Sequence, residues 1–190
     1  GAVRIWLVEP TPTSAPTADP ASAAPASTPR PTSTPLTSFF NLAGKTTLAE
    51  AEAQIGFPIP LPTYPSDLGQ PDGVFVQDMN GAVVVLVWLN PTQPPTQPYA
   101  AKYTLHILSN NAFVEKSNPR VVMTTTVNGN PAAWTVGPYM LVYDTGRGQD
   151  WQTRYLVTGR VLIWEEDGLT YRLESNLPLE DAIRMAESLQ

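Results

Sequence analysis

The residues that most constrain the fold are two alternating segments on either side of Asp167-Gly168. Side-chain character alternates along 161–164 and 169–174, and a period of two residues is typical of a β-strand with one face more buried than the other. An Asp-Gly pair supplies the positive φ angles that a tight hairpin turn needs. Residues 176–178 then stop the strand, and Pro178 is expected at the first position of a helix. The sequence therefore predicts a hairpin followed by a helix.

The predicted C-terminal helix has one apolar face. Its apolar side chains recur at helical spacing: Leu179, Ala182, Ile183, Ala186 and Leu189. Glu180 and Asp181 place negative charge on the first turn, where the helix dipole favours it. We expect the helix to pack on the sheet through the apolar face, with Arg184 and Glu187 turned away.

Further strands are predicted at 74–77, 82–89, 99–108, 121–127, 132–136, 139–143 and 151–157. Asn128-Gly129 is predicted to make the turn between the strands at 121–127 and 132–136. The segment 83–88 is apolar on both faces, which indicates a central strand covered on both sides. A capping box at Thr47 and Glu50 predicts a short helix that ends at Gly56. The predicted fold class is α+β: a curved, mostly antiparallel β-sheet of about eight or nine strands, with the C-terminal helix packed on it and a Pro-rich tail before it.

Composition divides the chain into three parts. Residues 1–8 are a short apolar flank, and Trp6 within it suits a membrane interface. Residues 9–37 are rich in Pro, Thr, Ser and Ala, a composition that favours an extended spacer over a packed core. Residues 38–190 are predicted to form a single globular β-rich domain. The sequence contains no complete transmembrane helix, and residues 1–8 are expected to follow one that lies outside it.

The hairpin and helix also carry a family pattern: LIWEEDGLTYRL at 162–173, LPL at 177–179 and AESL at 186–189. This pattern resembles the bacterial domain-of-unknown-function family 4367. Residues 57–65 and 127–132 are similar to that family too, so the resemblance spans residues 45–190. It implies the extracytoplasmic C-terminal domain of a single-pass, anti-sigma-factor-like membrane protein. It implies no catalytic residues.

Composition excludes several kinds of site. The chain has no cysteine, which excludes disulfides, thiolate metal sites and a cysteine nucleophile. Its single histidine, His106, excludes a metal site built on several histidines. The net charge of −6 is unsuited to nucleic acid, because neutralising phosphates requires clustered cations. We expect no cofactor and no nucleic-acid partner.

Aromatic side chains are the candidate binding surface, because they dominate many interfaces. The set comprises Trp88, Tyr99, Tyr103, Trp134, Tyr139, Tyr143, Trp151 and Tyr155. The alternative is that most of them are core residues, since aromatics dominate cores as well. A concave, solvent-open arrangement of several of them would favour the binding surface.

The favoured interpretation is a non-enzymatic sensory or partner-binding domain on the extracytoplasmic face of a bacterial membrane. Its partner would be an unknown envelope protein or a small ligand. Two alternatives stay open: a hydrophobic-ligand or peptide-binding domain with an apolar cavity, and a structural envelope module.

An enzyme is a further alternative, since acidic residues could furnish a carboxylate pair of the kind that glycosidases use, but no spacing in the sequence supports such a pair. The residues considered were Asp144, Asp150, Glu165, Glu166 and Asp167. The last three are predicted to be a solvated hairpin tip. His106 is interpreted as an ordinary surface or half-buried residue, because no nucleophile motif accompanies it.

Overall fold

The computed structural model describes residues 44–78, 81–93, 101–109, 113–117, 121–137, 139–144, 153–157 and 159–190. The predicted flank at 1–8 and linker at 9–37 lie outside these residues. These described residues include two helices, α1 (Leu48–Ile55) and α2 (Leu179–Glu187). The strands are β1 (Lys45–Thr46), β2 (Gly73–Asp78), β3 (Ala82–Leu89), β4 (Ala101–Leu108), β5 (Phe113–Ser117), β6 (Val121–Val127), β7 (Asn130–Val136), β8 (Tyr139–Asp144), β9 (Thr153–Val157), β10 (Arg160–Glu166) and β11 (Leu169–Ser175).

Eight of these strands form one antiparallel sheet in the order β1-β2-β3-β4-β11-β10-β7-β6. The first and last strands of this order are its two edges. The helix α2 packs on the sheet near β6, β10 and β11. The α+β architecture predicted from the sequence, an antiparallel sheet with the C-terminal helix packed on it, is confirmed.

The other three strands form a second sheet in the order β5-β8-β9. Its register continues that of β6, β7 and β10: Ser117 pairs with Met140, and four residues further along Val121 pairs with Val136. The β9–β8 pairs continue the β10–β7 pairs in the same way. The register of the second sheet therefore continues that of β6, β7 and β10 along the strand direction. We call this three-stranded sheet the ribbon. The sequence did not predict β5.

Two tight turns have the predicted geometry. The turn between β10 and β11 has positive φ at Asp167 (50°) and Gly168 (75°), and its register pairs Glu166 with Leu169. The turn between β6 and β7 has positive φ at Asn128 (49°) and Gly129 (78°). Two consecutive positive φ values match the right-handed twist of the flanking strands. Both hairpins are confirmed.

The hydrophobic core lies between the main sheet and a layer made by α1, α2 and residues 57–64. Its sheet side includes Leu86, Leu105, Leu162 and Leu173, each at most 2% exposed. Residues 83–88 are buried on both faces of the sheet, which confirms the predicted central strand. The hairpin β10–β11 is buried on both faces as well, whereas the sequence predicted one face to be more exposed.

Both helices begin close to the predicted residues. In α1 the Thr47 hydroxyl accepts from the Glu50 amide, the Glu50 carboxylate accepts from the Thr47 amide, and Gly56 ends the helix at φ 81°. The prediction that Pro178 is the first helical residue is wrong. Its ψ of 161° is extended, so Pro178 is the N-cap and the helix begins one residue later. The buried face of α2 also includes Met185, which the predicted stripe omitted.

The beginning of the domain is bound to its end. Leu61 and Gln190 exchange backbone hydrogen bonds of 2.9 and 3.1 Å. The Ser188 hydroxyl accepts from the Tyr64 amide at 3.0 Å, and the Tyr64 hydroxyl donates to Asp181 at 3.1 Å. We call these contacts between residues 61–64 and the helix α2 with residues 188–190 the clasp.

Candidate functional site

Three of the eight predicted aromatic residues belong to the core. Trp88, Tyr103 and Trp134 are 3%, 5% and 5% exposed and lie on the helix-covered face of the main sheet. Trp88 pairs directly with Tyr103 across β3 and β4, and its indole N–H donates to the Gly69 carbonyl at 3.2 Å. These three side chains do not line an open surface, so the core interpretation applies to them.

Three other members of the set lie in the ribbon. Tyr139 and Tyr143 are two register positions on either side of Leu141 in β8, and Leu141 pairs with Tyr155 in β9. Residues two apart in a strand, and residues directly opposite each other, share one face of a sheet. The register therefore places Tyr139, Tyr143 and Tyr155 on the same face. Tyr99 and Trp151 lie outside the described residues.

The acidic turn is partly exposed and partly structural. Glu165 and Asp167 are exposed, while Glu166 is half-buried. Glu166 accepts from Asn128 Nδ2 at 2.9 Å and from the indole N–H of Trp164 at 3.2 Å. The solvated-tip prediction thus describes the turn except for Glu166, which joins the two hairpins. Among the described residues no group of three or more His, Asp or Glu is placed to hold a metal ion.

The aromatic pair beside this turn is buried. The rings of Trp164 and Tyr171 stack with centroids 5.1 Å apart and planes 12° apart. Burial raises the pKa of Tyr171, and the carboxylates of Glu166 and Asp167 raise it further. The phenol therefore stays neutral at physiological pH. Of the other acidic residues considered for an enzyme, Asp144 ends β8 and Asp150 lies outside the described residues.

Among the described residues His106 has the most strongly shifted pKa, and it is buried rather than surface or half-buried as predicted. It is 3% exposed, lies on the sheet face opposite the helices, and pairs directly with Arg172 across β4 and β11. The Arg172 guanidinium forms an ion pair with the Glu174 carboxylate, and Nε2 of His106 lies 3.4 Å from the same carboxylate. We call these three residues the His–Arg–Glu cluster.

Burial holds the pKa of His106 well below its ordinary value, and the neighbouring positive charge of Arg172 lowers it further. The Glu174 carboxylate does not reverse this, because its charge is already paired with Arg172. The imidazole is consequently neutral at pH 7. The sequence did not identify Arg172 and Glu174 as partners of His106. The available signal was two charged residues at alternate positions of an otherwise apolar strand.

Chemically, the His–Arg–Glu cluster can couple protonation to folding, because a buried imidazole can only be charged at a cost. Its three side chains are at most 11% exposed. The cluster is therefore an internal polar contact of the sheet.

In the part of the chain that the structure describes, no helix is long and apolar enough to cross a bilayer. The resemblance to domain-of-unknown-function family 4367 stays a prediction. Comparison of the chain with protein-family models, with curated proteins and with solved structures finds no match.

Proposed function

We propose that this chain is the sensory, partner-binding domain of a membrane-anchored bacterial regulator of the anti-sigma-factor type, and that it acts on the extracytoplasmic side without catalysis. The observation that carries the proposal is where the chain enters the sheet. Residues 44–46 bond to β2 at one edge of the main sheet. The ribbon follows the register of β6, β7 and β10, which lie on the opposite side of that sheet. The Pro-rich linker at 9–37 precedes the first of these edges in the sequence.

The two edges are far apart. Seven inter-strand steps separate β1 from β6 in the sheet order. At a spacing of about 4.8 Å per step, this is roughly 34 Å along the sheet. A domain held by its β1 edge therefore presents its β6 edge and the ribbon away from the point of attachment. This arrangement suits a domain that is tethered at one side and binds at the other.

The partner surface we propose is the ribbon face that contains Tyr139, Tyr143 and Tyr155. Tyrosine is enriched at interfaces, because its ring offers a large apolar area and its hydroxyl offers a hydrogen bond. The proposed partner is an envelope protein.

Site-specific photo-cross-linking in the full-length protein, in its native membranes, tests this proposal. Benzoylphenylalanine replaces Tyr139, Tyr143 or Tyr155 one at a time, and Gln54 serves as the control because it is exposed on α1. We expect one discrete envelope protein to be cross-linked from the ribbon positions and not from Gln54. We also expect a sigma factor to co-purify from the cytoplasmic side.

Two results would contradict the proposal. Equal cross-linking from the ribbon and from Gln54 would remove the assigned surface. Recovery of wall components alone, with no sigma factor, would favour a structural envelope module, and the regulatory role would be abandoned.

A further inference from the structure

Within the described residues, the outer edge of β6 is open to further strand pairing. Among the described strands β6 pairs with β7 alone, and their register is regular from Val121 to Val127. Thr124 and Thr126 are exposed, and Met123 is 46% exposed. Native sheets protect their edges with charged residues, proline or bulges. The sequence of β6, VVMTTTV, has no charge and no proline, and its pairing shows no bulge.

The backbone groups that face this edge follow from the turn. A tight turn at Asn128-Gly129 joins Val127 and Asn130 by hydrogen bonding, and bonded pairs alternate with unbonded pairs along an antiparallel ladder. The residues of β6 in unbonded pairs, which turn their N–H and C=O groups outward, are then Val122, Thr124 and Thr126. Pro131 agrees with this phase, because it has no N–H and stands opposite Thr126.

We propose that β6 pairs with β6 of a second copy of this chain, in antiparallel orientation about a two-fold axis at Thr124. In this register Thr124 pairs with its own copy, and Val122 of one chain pairs with Thr126 of the other. Every outward N–H of one chain then meets an outward C=O of the other. If the register is shifted, some of the outward N–H and C=O groups have no group opposite them with which to bond. The two eight-stranded sheets become one continuous sheet.

Charge favours the same arrangement. The chain carries a net charge of −6, but the strand that forms the contact is uncharged, so no like charges meet across it. Glu166 and Glu187 hydrogen-bond to Asn128 at the turn end of β6. In an antiparallel pair the two turn ends lie at opposite ends of the contact, so these carboxylates do not face those of the other copy.

A single strand edge is a small interface. Stable complexes bury at least about 1,200 Å² in total, and smaller contacts are weak or transient. The self-association is therefore expected to be reversible and to depend on concentration.

Single cysteines test the register directly, because the chain has no cysteine of its own. In the proposed pair the two Thr124 Cα atoms are about 5.5 Å apart, which a disulfide can bridge. The two Thr126 Cα atoms are offset by about 13 Å along the strands, because four residues separate them. In a glutathione redox buffer we expect Thr124→Cys to form a disulfide-linked dimer. Thr126→Cys, equally exposed on the same strand, should stay monomeric.

Sedimentation velocity of the 190-residue chain tests the association without cross-linking. Thr124→Lys places two like charges opposite each other and should raise the dimer Kd by about tenfold or more. Gln54→Lys adds the same charge on the exposed surface of α1 and should leave Kd unchanged. Circular dichroism of both variants checks that they are folded.

Two results would overturn the proposal. The first is a chain that stays monomeric up to millimolar concentration. The second is equal disulfide formation by the two cysteine variants. If the chain is monomeric but Thr124→Lys abolishes cross-linking to an envelope protein, then the edge accepts a strand of that protein and not a second copy.

Discussion

Acidification should destabilise this protein through one side chain. The pKa of His106 in the folded state lies well below the value of about 6.5 that an unfolded chain has, because burial and then Arg172 disfavour the imidazolium. Between the two pKa values the unfolded chain binds a proton that the folded chain does not. The free energy of unfolding therefore falls as pH falls below about 6.5, and the loss continues down to the folded-state pKa.

The size of the loss in free energy of unfolding follows from the one proton that the unfolded chain binds and the folded chain does not. Each pH unit within this window lowers the free energy of unfolding by about 1.4 kcal/mol. Between about pH 7.5 and pH 5.5 the loss from His106 is then roughly 1.4 kcal/mol, because only the lower half of that interval lies below the unfolded-state pKa. That loss is a substantial part of the roughly 5–15 kcal/mol that typically stabilises a domain, so the change in free energy of unfolding is large enough to measure.

The assay is urea unfolding at these pH values, followed by tryptophan fluorescence. His106→Gln is the matched variant, because it keeps a polar side chain that does not titrate. No other histidine is present to obscure the comparison. The lowered pKa of Glu50, which its hydrogen bonds to Thr47 and Thr46 cause, affects only more acidic solutions. Equal pH dependence in the two proteins, or none in the unmodified protein, would refute the reasoning.

Three further predictions concern local structure and are checked by the same urea titration at pH 7.5. Thr47→Ala removes the N-cap of α1 and should cost about 1 kcal/mol, whereas Gln54→Ala on the exposed surface of that helix should cost almost nothing. Gly129→Ala should cost about 1–2 kcal/mol through its φ of 78° alone, since no atom lies within 4 Å of the added Cβ, and Gly129→Asn should cost less. Leu162→Ala removes a fully buried side chain and should cost about 2–5 kcal/mol.

The parts of the fold that could be predicted from sequence depend on neighbouring residues. The positive φ values at Asn128-Gly129 and Asp167-Gly168 follow from residue types that tolerate them. The capping box at Thr47 depends on a contact only three residues away. In the proline-rich stretch 57–71, where apolar residues alternate with proline, Ile59 belongs to the core cluster and Leu61 packs against it.

The parts that could not be predicted depend on distant residues. The strand β5, FVEKS, has little alternation of its own, and its conformation depends on pairing with β8. The clasp joins residues separated by 117 positions or more. Burial of Arg172 could not be inferred from β11 alone, because the imidazole beside it comes from β4 and depends on the register of the two strands, although its partner Glu174 lies on β11 itself. The sequence alone does not separate the tyrosines of the ribbon from the aromatic residues of the core, because that difference also depends on distant residues.

The strand β11 lies inside the main sheet and connects its two halves. In the described sheet, β1 to β4 lie on one side of β11, and β10, β7 and β6 lie on the other. The last strand of the chain is thus the one that joins the β1 side of the sheet to the β6 side. The helix α2 and residues 188–190 follow it and form the clasp with residues 61–64. One hairpin and one helix therefore contact both halves of the main sheet, because β11 pairs with β4, β10 pairs with β7, and α2 packs near β6, β10 and β11.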